Sequence, residues 1–358
     1  MAYLLSVALA QGDAAPATDG SVPFMAVRGK LIVPVSAAGH GPYAFLLDSG
    51  INRPLLDLRT ASELGSAATE AQTLQLASLE VGSLKVPQAV ADVADLSALE
   101  KVLGTGVAGL LPVHWGDVGL AIDFGRGRMA YGMPGERRYS RYTTLQAEKD
   151  GLRVSVAVNG GRHYPARVDL SRADTFSVPK PLAEKLGLLN KALPRVEFDD
   201  ESDERLQVRA ESLELGDAEL KNAVCSVRES GDEAVIGTGF LKHFNVFFDF
   251  ANGKLWLSPL NPTTAEDEPV VAYGVVPGRI EEGYWTLRVA INSPAFRAGI
   301  KAGDRLKAID DDDMQSKTYD EVSKRLAATP GRSAKLTILR GEETKDFKVQ
   351  PEPLFTKP

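Results

Sequence analysis

The sequence predicts a mainly β protein: two similar lobes, followed by a smaller unit that mixes strands and helices. Three observations predict it. A set of features recurs in the same order in residues 21–134 and 150–260. Both copies consist of short alternating apolar runs punctuated by glycine, the pattern of half-buried strands. Beyond a Pro-rich, acidic stretch at 261–269, helix-start and turn signals appear between strand-like runs, which marks a domain boundary.

The first copy is organised around Phe45-Leu46-Leu47-Asp48-Ser49-Gly50, where three apolar residues run into a carboxylate, a hydroxyl and a glycine. This reads as a buried strand with a sharp exit. An acid at the end of such a strand is costly to ionise unless something stabilises it. Its imperfect echo is Ala166-Arg167-Val168-Asp169-Leu170-Ser171, at an offset of 169 − 48 = 121 residues. The apolar run 30–35 precedes the first Asp as 151–158 precedes the second. A short helical stretch closes in Leu64-Gly65 after one and in Leu186-Gly187 after the other. Then 77–82 matches 211–216. Gly104-Thr105-Gly106 with 119–124 matches Gly237-Thr238-Gly239 with 245–250, at 245 − 119 = 126. Strands at 128–131 and 254–257 close the copies. The offsets drift by loop-sized insertions, as a diverged duplication requires. Residues 134–149, polar and basic, read as a solvated linker.

In the third unit, 285–290, 305–309, 334–340 and 345–349 read as strands. Ser293 and Pro294 open a helix, and 319–328 carries Tyr319, Val322 and Leu326 on one helical face. The acidic run Asp310 to Asp313 reads as a solvated turn, with a cation site as the alternative.

Composition narrows the function. An apolar fraction of 44% with 25% charged residues belongs to an ordinary folded protein with ample core. The net charge of −7, with no basic stripe or aromatic platform, argues against nucleic acid. The single cysteine, Cys225, excludes an internal disulfide and sits in a strand-like run as a core residue. The four histidines have no metal-ligand spacing, and His243 reads as structural. No integral membrane span is expected. Residues 3–10 are apolar and end in Ala-Leu-Ala before a small, polar stretch. This matches the latter part of a secretory signal cleaved after Ala10, without a basic start. Residues 1–20 are therefore expected to be a signal or disordered terminus, and the protein periplasmic or secreted.

Asp48-Ser49-Gly50, with its preceding strand, following Leu-Gly helix and later Gly-Thr-Gly turn, resembles the retropepsin-like aspartic proteases, the bacterial aspartyl protease family in particular. The resemblance covers about 22–260 and implies two pepsin-like closed β-barrel lobes in one chain. Residues 270–353 resemble a PDZ domain through Ser293-Pro294-Ala295, Ala298-Gly299-Ile300 and Gly303-Asp304. That family binds peptide tails beside a loop expected at Tyr273-Gly274-Val275-Val276, the peptide adding a strand to the sheet edge.

The resemblance implies an aspartic endopeptidase acting on peptide or protein substrates, with no metal or cofactor. Asp48 and Asp169 would meet at the lobe interface and share a proton, because two adjacent carboxylates cannot both ionise readily. Asp48 is assigned as base and Asp169 as protonated partner, the reverse remaining open. Ser49 and Gly50 are the supporting residues. The second copy departs from the family pattern: Leu170 stands where a loop-tying hydroxyl belongs, and Ser171 where a glycine does. Asp174-Thr175 offers another register. However, Asp48 precedes Gly65 by 65 − 48 = 17 residues and Asp169 precedes Gly187 by 187 − 169 = 18, against 187 − 174 = 13 for Asp174, which favours Asp169. The altered loop keeps a second reading open, a catalytically degenerate peptide-binding adaptor. A third is pairing of Asp48 between two chains. Segments 72–76 and 198–206 are candidates to cover the cleft.

Overall fold

The computed structural model describes residues 20–65, 72–133, 139–148, 151–200, 202–261, 265–267, 271–327 and 331–355. The expected processing site after Ala10 lies outside them.

The two Asp-bearing strands sit in the middle of two large sheets built to one plan. His40–Asp48 lies between Lys30–Ala37, antiparallel, and Gly109–Pro112, parallel. Tyr164–Asp169 lies between Gly151–Val158, antiparallel, and Ala234–Gly237, parallel. Outward from the parallel partner, the first sheet continues through Leu55–Asp57, Val90–Ala94 and Thr73–Gln75. The second continues through Phe176–Pro179, Val224–Arg228 and Leu206–Arg209. The directions match at every step. On the other side, the hairpin Ser78–Val81 with Leu84–Pro87 answers to Ser212–Leu215 with Ala218–Lys221. Central strands that are covered on both faces need continuous apolar sequence. Phe45 and Leu47 enter the main core while Leu46, pointing the opposite way, enters a satellite core with Val27, Ile32, Leu103 and Val107.

A six-stranded antiparallel sheet joins the lobes, three strands from each. Its order is Val22–Pro23, Arg128–Tyr131, Leu120–Asp123, Phe244–Asp249, Lys254–Pro259, Arg141–Thr144. At the seam Ala121 faces Phe247, and 247 − 121 = 126 is the repeat offset of this segment. Leu120 faces Phe248 and Ile122 faces Val246, so each contact has its symmetry mate. A pseudo-two-fold axis therefore passes through this pair. One continuous core spans both lobes.

Three expectations are corrected. Neither lobe is a closed barrel. The first sheet ends in Thr73–Gln75 and Leu84–Pro87, the second in Arg195–Glu197 and Ala265–Glu266, and these ends do not pair with each other. Closure requires a stagger carried around every strand, and end strands of two to four residues are too short for it. Second, 141–148 is not a solvated linker: Arg141–Thr144 pairs with Lys254–Pro259, and Gln146–Glu148 with Gly151–Val158. These strands are the counterparts of Val22–Pro23 and Met25–Val27. Third, Gly104-Thr105-Gly106 is not the equivalent of Gly237-Thr238-Gly239. Gly104, at φ +71, caps the helix Ser97–Leu103, whereas Gly237 partners Asp169 at a strand end where Pro112 partners Asp48.

The third unit has its own core, including Trp285, Leu287, Ile300, Leu306, Val322, Leu336 and Ile338. Its antiparallel sheet runs Val275–Glu281, Tyr284–Val289, Arg305–Ile309, Ala334–Arg340, Glu343–Val349. Ser293 caps the helix Pro294–Ala298, which ends in left-handed Gly299. The helix Tyr319–Leu326 starts in a Thr318/Glu321 capping box. The stretch before this unit is fastened to the second lobe. Asp267 is buried against His243 Nε2 at 2.9 Å and accepts from Val224 N at 3.0 Å. Among the described residues no helix is long and apolar enough to cross a membrane.

Candidate active site at the seam between the lobes

Each Asp ends its strand and is fixed by the same local turn. Gly50 N donates to Asp48 Oδ1 at 2.7 Å, and Ser171 N donates to Asp169 Oδ1 at 2.9 Å. The two loops then meet. Ser49, only 7% exposed, donates its hydroxyl proton to the carbonyl of Val168 at 2.8 Å and accepts from Leu170 N at 3.1 Å. One first-lobe hydroxyl therefore grips the second-lobe loop on both sides of Asp169. Leu170 has no hydroxyl to return the bond, and its side chain is instead fully buried in the common core.

The surroundings of the two carboxylates differ. Burial pushes Asp48 above the ordinary aspartate value of 3.8; the Gly50 N–H opposes this, and the nearby charge of Asp169 adds to it. Asp169 is more enclosed. The Ser171 hydroxyl donates to Oδ1 at 2.6 Å, and Arg167 Nη2 lies 3.1 Å from Oδ2. Arg167 comes from the same strand, two residues earlier, hence on the same face as Asp169. It also reaches towards the first loop: a side chain at Gly50 would meet its Nη1 at 3.7 Å. Lys30, from the first lobe, donates to the carbonyl of Ser171. Burial pushes its amine down, and Asp169 opposes that shift. The spacing of Arg167 from Asp169 on a strand was a signal available in the sequence; Lys30 had none.

Asp174 belongs to a different cluster, with Arg172 Nη2 at 2.9 Å and the Ser226 hydroxyl at 3.1 Å. Cys225 is fully buried, and burial pushes its thiol up to about 12, far from a nucleophile's range. Three acids of the run 310–313 pair with cations, Asp311 with Lys335, Asp312 with Arg325 and Asp310 with Arg332 at 3.6 Å, while Asp313 accepts from Gln315 N at 2.8 Å.

The family model for PDZ domains matches residues 270–350. This segment is a PDZ domain. Its Tyr273 is buried and donates its hydroxyl to Arg332 O at 3.1 Å, while its carbonyl accepts from Ala295 N at 2.9 Å. Gly274 takes φ +86 and packs so tightly on Ser293 that any side chain there would overlap it. Val275 and Val276 begin the edge strand, opposite Val289 and Arg288. Of the segment 198–206, a candidate cleft cover, Phe198, Asp200 and Ser202 contact the PDZ domain, while Leu206 is paired in the sheet of the second lobe. Phe198 bridges to Ala290 and lies 4.6 Å from the Arg288 guanidinium, which also pairs with Asp200. Residues 73–75 are paired in the sheet of the first lobe. No curated protein matches the chain. Among solved structures, an aspartic proteinase from Irpex lacteus is similar at 14% identity and a TM-score of 0.45, over 68% of this chain and 98% of that one.

Proposed function

We propose that the seam is the active site of an aspartic-type endopeptidase, with Asp48 and Asp169 as the working pair and the PDZ domain as a binder of peptide or protein tails. The observation that carries this reading is the Ser49 hydroxyl, which locks the two Asp loops to one another. Burial and the charge of Asp169 both favour a protonated Asp48. Asp48 is then the acid that protonates the scissile carbonyl oxygen, and Asp169 the base that takes a proton from the attacking water. This reverses the assignment favoured by sequence. Export to the periplasm or beyond, from the signal-like N-terminus, belongs to the same proposal.

One observation favours the second reading, an adaptor that grips peptides without cleaving them. Arg167 and Ser171 engage both oxygens of Asp169, which leaves fewer of its lone pairs free to meet an attacking water. Unfolded casein, assayed from acidic to neutral pH, separates the readings. The enzyme reading expects cleavage to fall about 10³-fold in both Asp48→Asn and Asp169→Asn. No cleavage by the parent, with peptide still bound, identifies the adaptor. Loss in the Asp48 variant alone points to a single-Asp site or one shared between two chains.

A further inference from the structure

The edge strand of the PDZ sheet, Val275–Glu281, and the helix Tyr319–Leu326 border the groove where a PDZ ligand would add as a strand. That groove already has an occupant. The turn that joins Met25–Val27 to Lys30–Ala37 in the first lobe projects Arg28 into it. Arg28 Nη1 donates to the carbonyl of Gly278, on the edge strand, at 3.1 Å. Its guanidinium lies 4.0 Å from the centre of the Tyr319 ring, and its backbone N–H donates to Asp320 Oδ1 at 3.2 Å. Behind it, the helix Ser97–Leu103 completes the plug: Val102 O accepts from the same Nη1 at 2.6 Å.

The turn itself is unusual. Arg28 and Gly29 both have positive φ, +52 and +73. A two-residue hairpin turn of that kind normally takes Asn, Asp or Gly at its first position. An arginine held left-handed is strained, and its contacts across to the PDZ domain offset that strain. The other side of the turn rests on the second Asp loop. Gly29 O accepts from the Thr238 hydroxyl, a side chain at Gly29 would strike Ala173 Cβ at 2.7 Å, and Lys30 holds the carbonyl of Ser171.

We propose that this turn is a built-in occupant of the PDZ groove, and that a peptide entering the groove must expel Arg28 and thereby loosen the grip of Lys30 on the Asp169 loop. The proposal rests on reading the groove as a peptide site. A groove occupied by its own chain binds ligand with an affinity reduced by the fraction closed. Coupling through the turn is reciprocal, so occupation of the Asp cleft bears on the groove by the same factor.

The test uses the full chain and a fluorescein-labelled decapeptide pool, its last four positions randomised among apolar residues, with a free C-terminal carboxylate. Arg28→Gly removes the side chain but accepts the positive φ; Arg28→Lys keeps the charge but loses the planar fork. Anisotropy should give about tenfold tighter binding for Arg28→Gly than for the parent, the scale of one charged hydrogen bond lost by the plug. Arg28→Lys should fall between. Equal affinity in parent and Arg28→Gly overturns the plug while leaving the peptide site standing. Binding by neither removes the peptide site, and the proposal with it. Peptide added to the parent should also speed hydrogen exchange in 167–172, a readout independent of cleavage; unchanged exchange there overturns the coupling.

Discussion

In the first lobe the residue after the aspartate is Ser49, and its hydroxyl makes two hydrogen bonds across the seam. In the second lobe it is Leu170, fully buried in the common core and contributing only backbone groups to that contact. The loops lie in matching sheets, yet one grips and the other is gripped. Two-fold geometry therefore does not require two-fold chemistry. One hydroxyl with two backbone partners closes the joint, which frees the second loop to diverge. It diverged towards enclosure: Ser171 and Arg167 surround Asp169, while Asp48 has only the Gly50 N–H on Oδ1 among the described contacts.

Four substitutions break or sharpen this contrast. Ser49→Ala should have the largest effect. It strands a buried N–H and a buried carbonyl, costing about 2–3 kcal/mol in denaturant-measured stability. The slackened joint should lower casein cleavage about 100-fold. Gly237→Ala comes next. A methyl there would overlap the Asp174 carbonyl and meet that of Arg172 at 2.7 Å, whereas the first lobe carries Pro112 at the matching place. Thermal melts should register a loss of about 1–3 kcal/mol.

Arg167→Met tests the enclosure. The charge of Arg167 lowers Asp48, working against burial. Activity that needs protonated Asp48 declines as pH rises through its raised pKa. Without Arg167 that decline should move to higher pH, and an unmoved pH–rate profile would separate Arg167 from the pair. The smallest effect is on stability. Asp48 binds its proton more tightly folded than unfolded, so its stabilising contribution is present below 3.8 and is lost as pH rises through the raised folded value. Asp48→Asn removes that loss. Its melting temperature should exceed the parent's at neutral pH and converge with it in acid.

Much of this plan was legible in the residues. The repeat was, because buried central strands need unbroken apolar runs and each exit needs a turn residue. The PDZ unit was, through the resemblance carried by Ser293-Pro294-Ala295, Ala298-Gly299-Ile300 and Gly303-Asp304. The Gly-Thr-Gly match misled, since one glycine caps a helix with positive φ and the other lies extended at a strand end. The strands at 141–148 were missed because edge strands of three or four polar residues carry no clear alternation.

By itself the sequence determined two copies of a strand–acid–turn unit and an independent third core, since periodicity and capping are local properties of the chain. Only the tertiary structure decided that the Ser49 hydroxyl would join the two loops, that Arg167 and Lys30 would crowd Asp169, and that Arg28 would meet Gly278, Tyr319 and Asp320 of the PDZ domain. These contacts unite residues up to 292 positions apart. Their energies depend on distance and burial, which exist only once the sheets have packed.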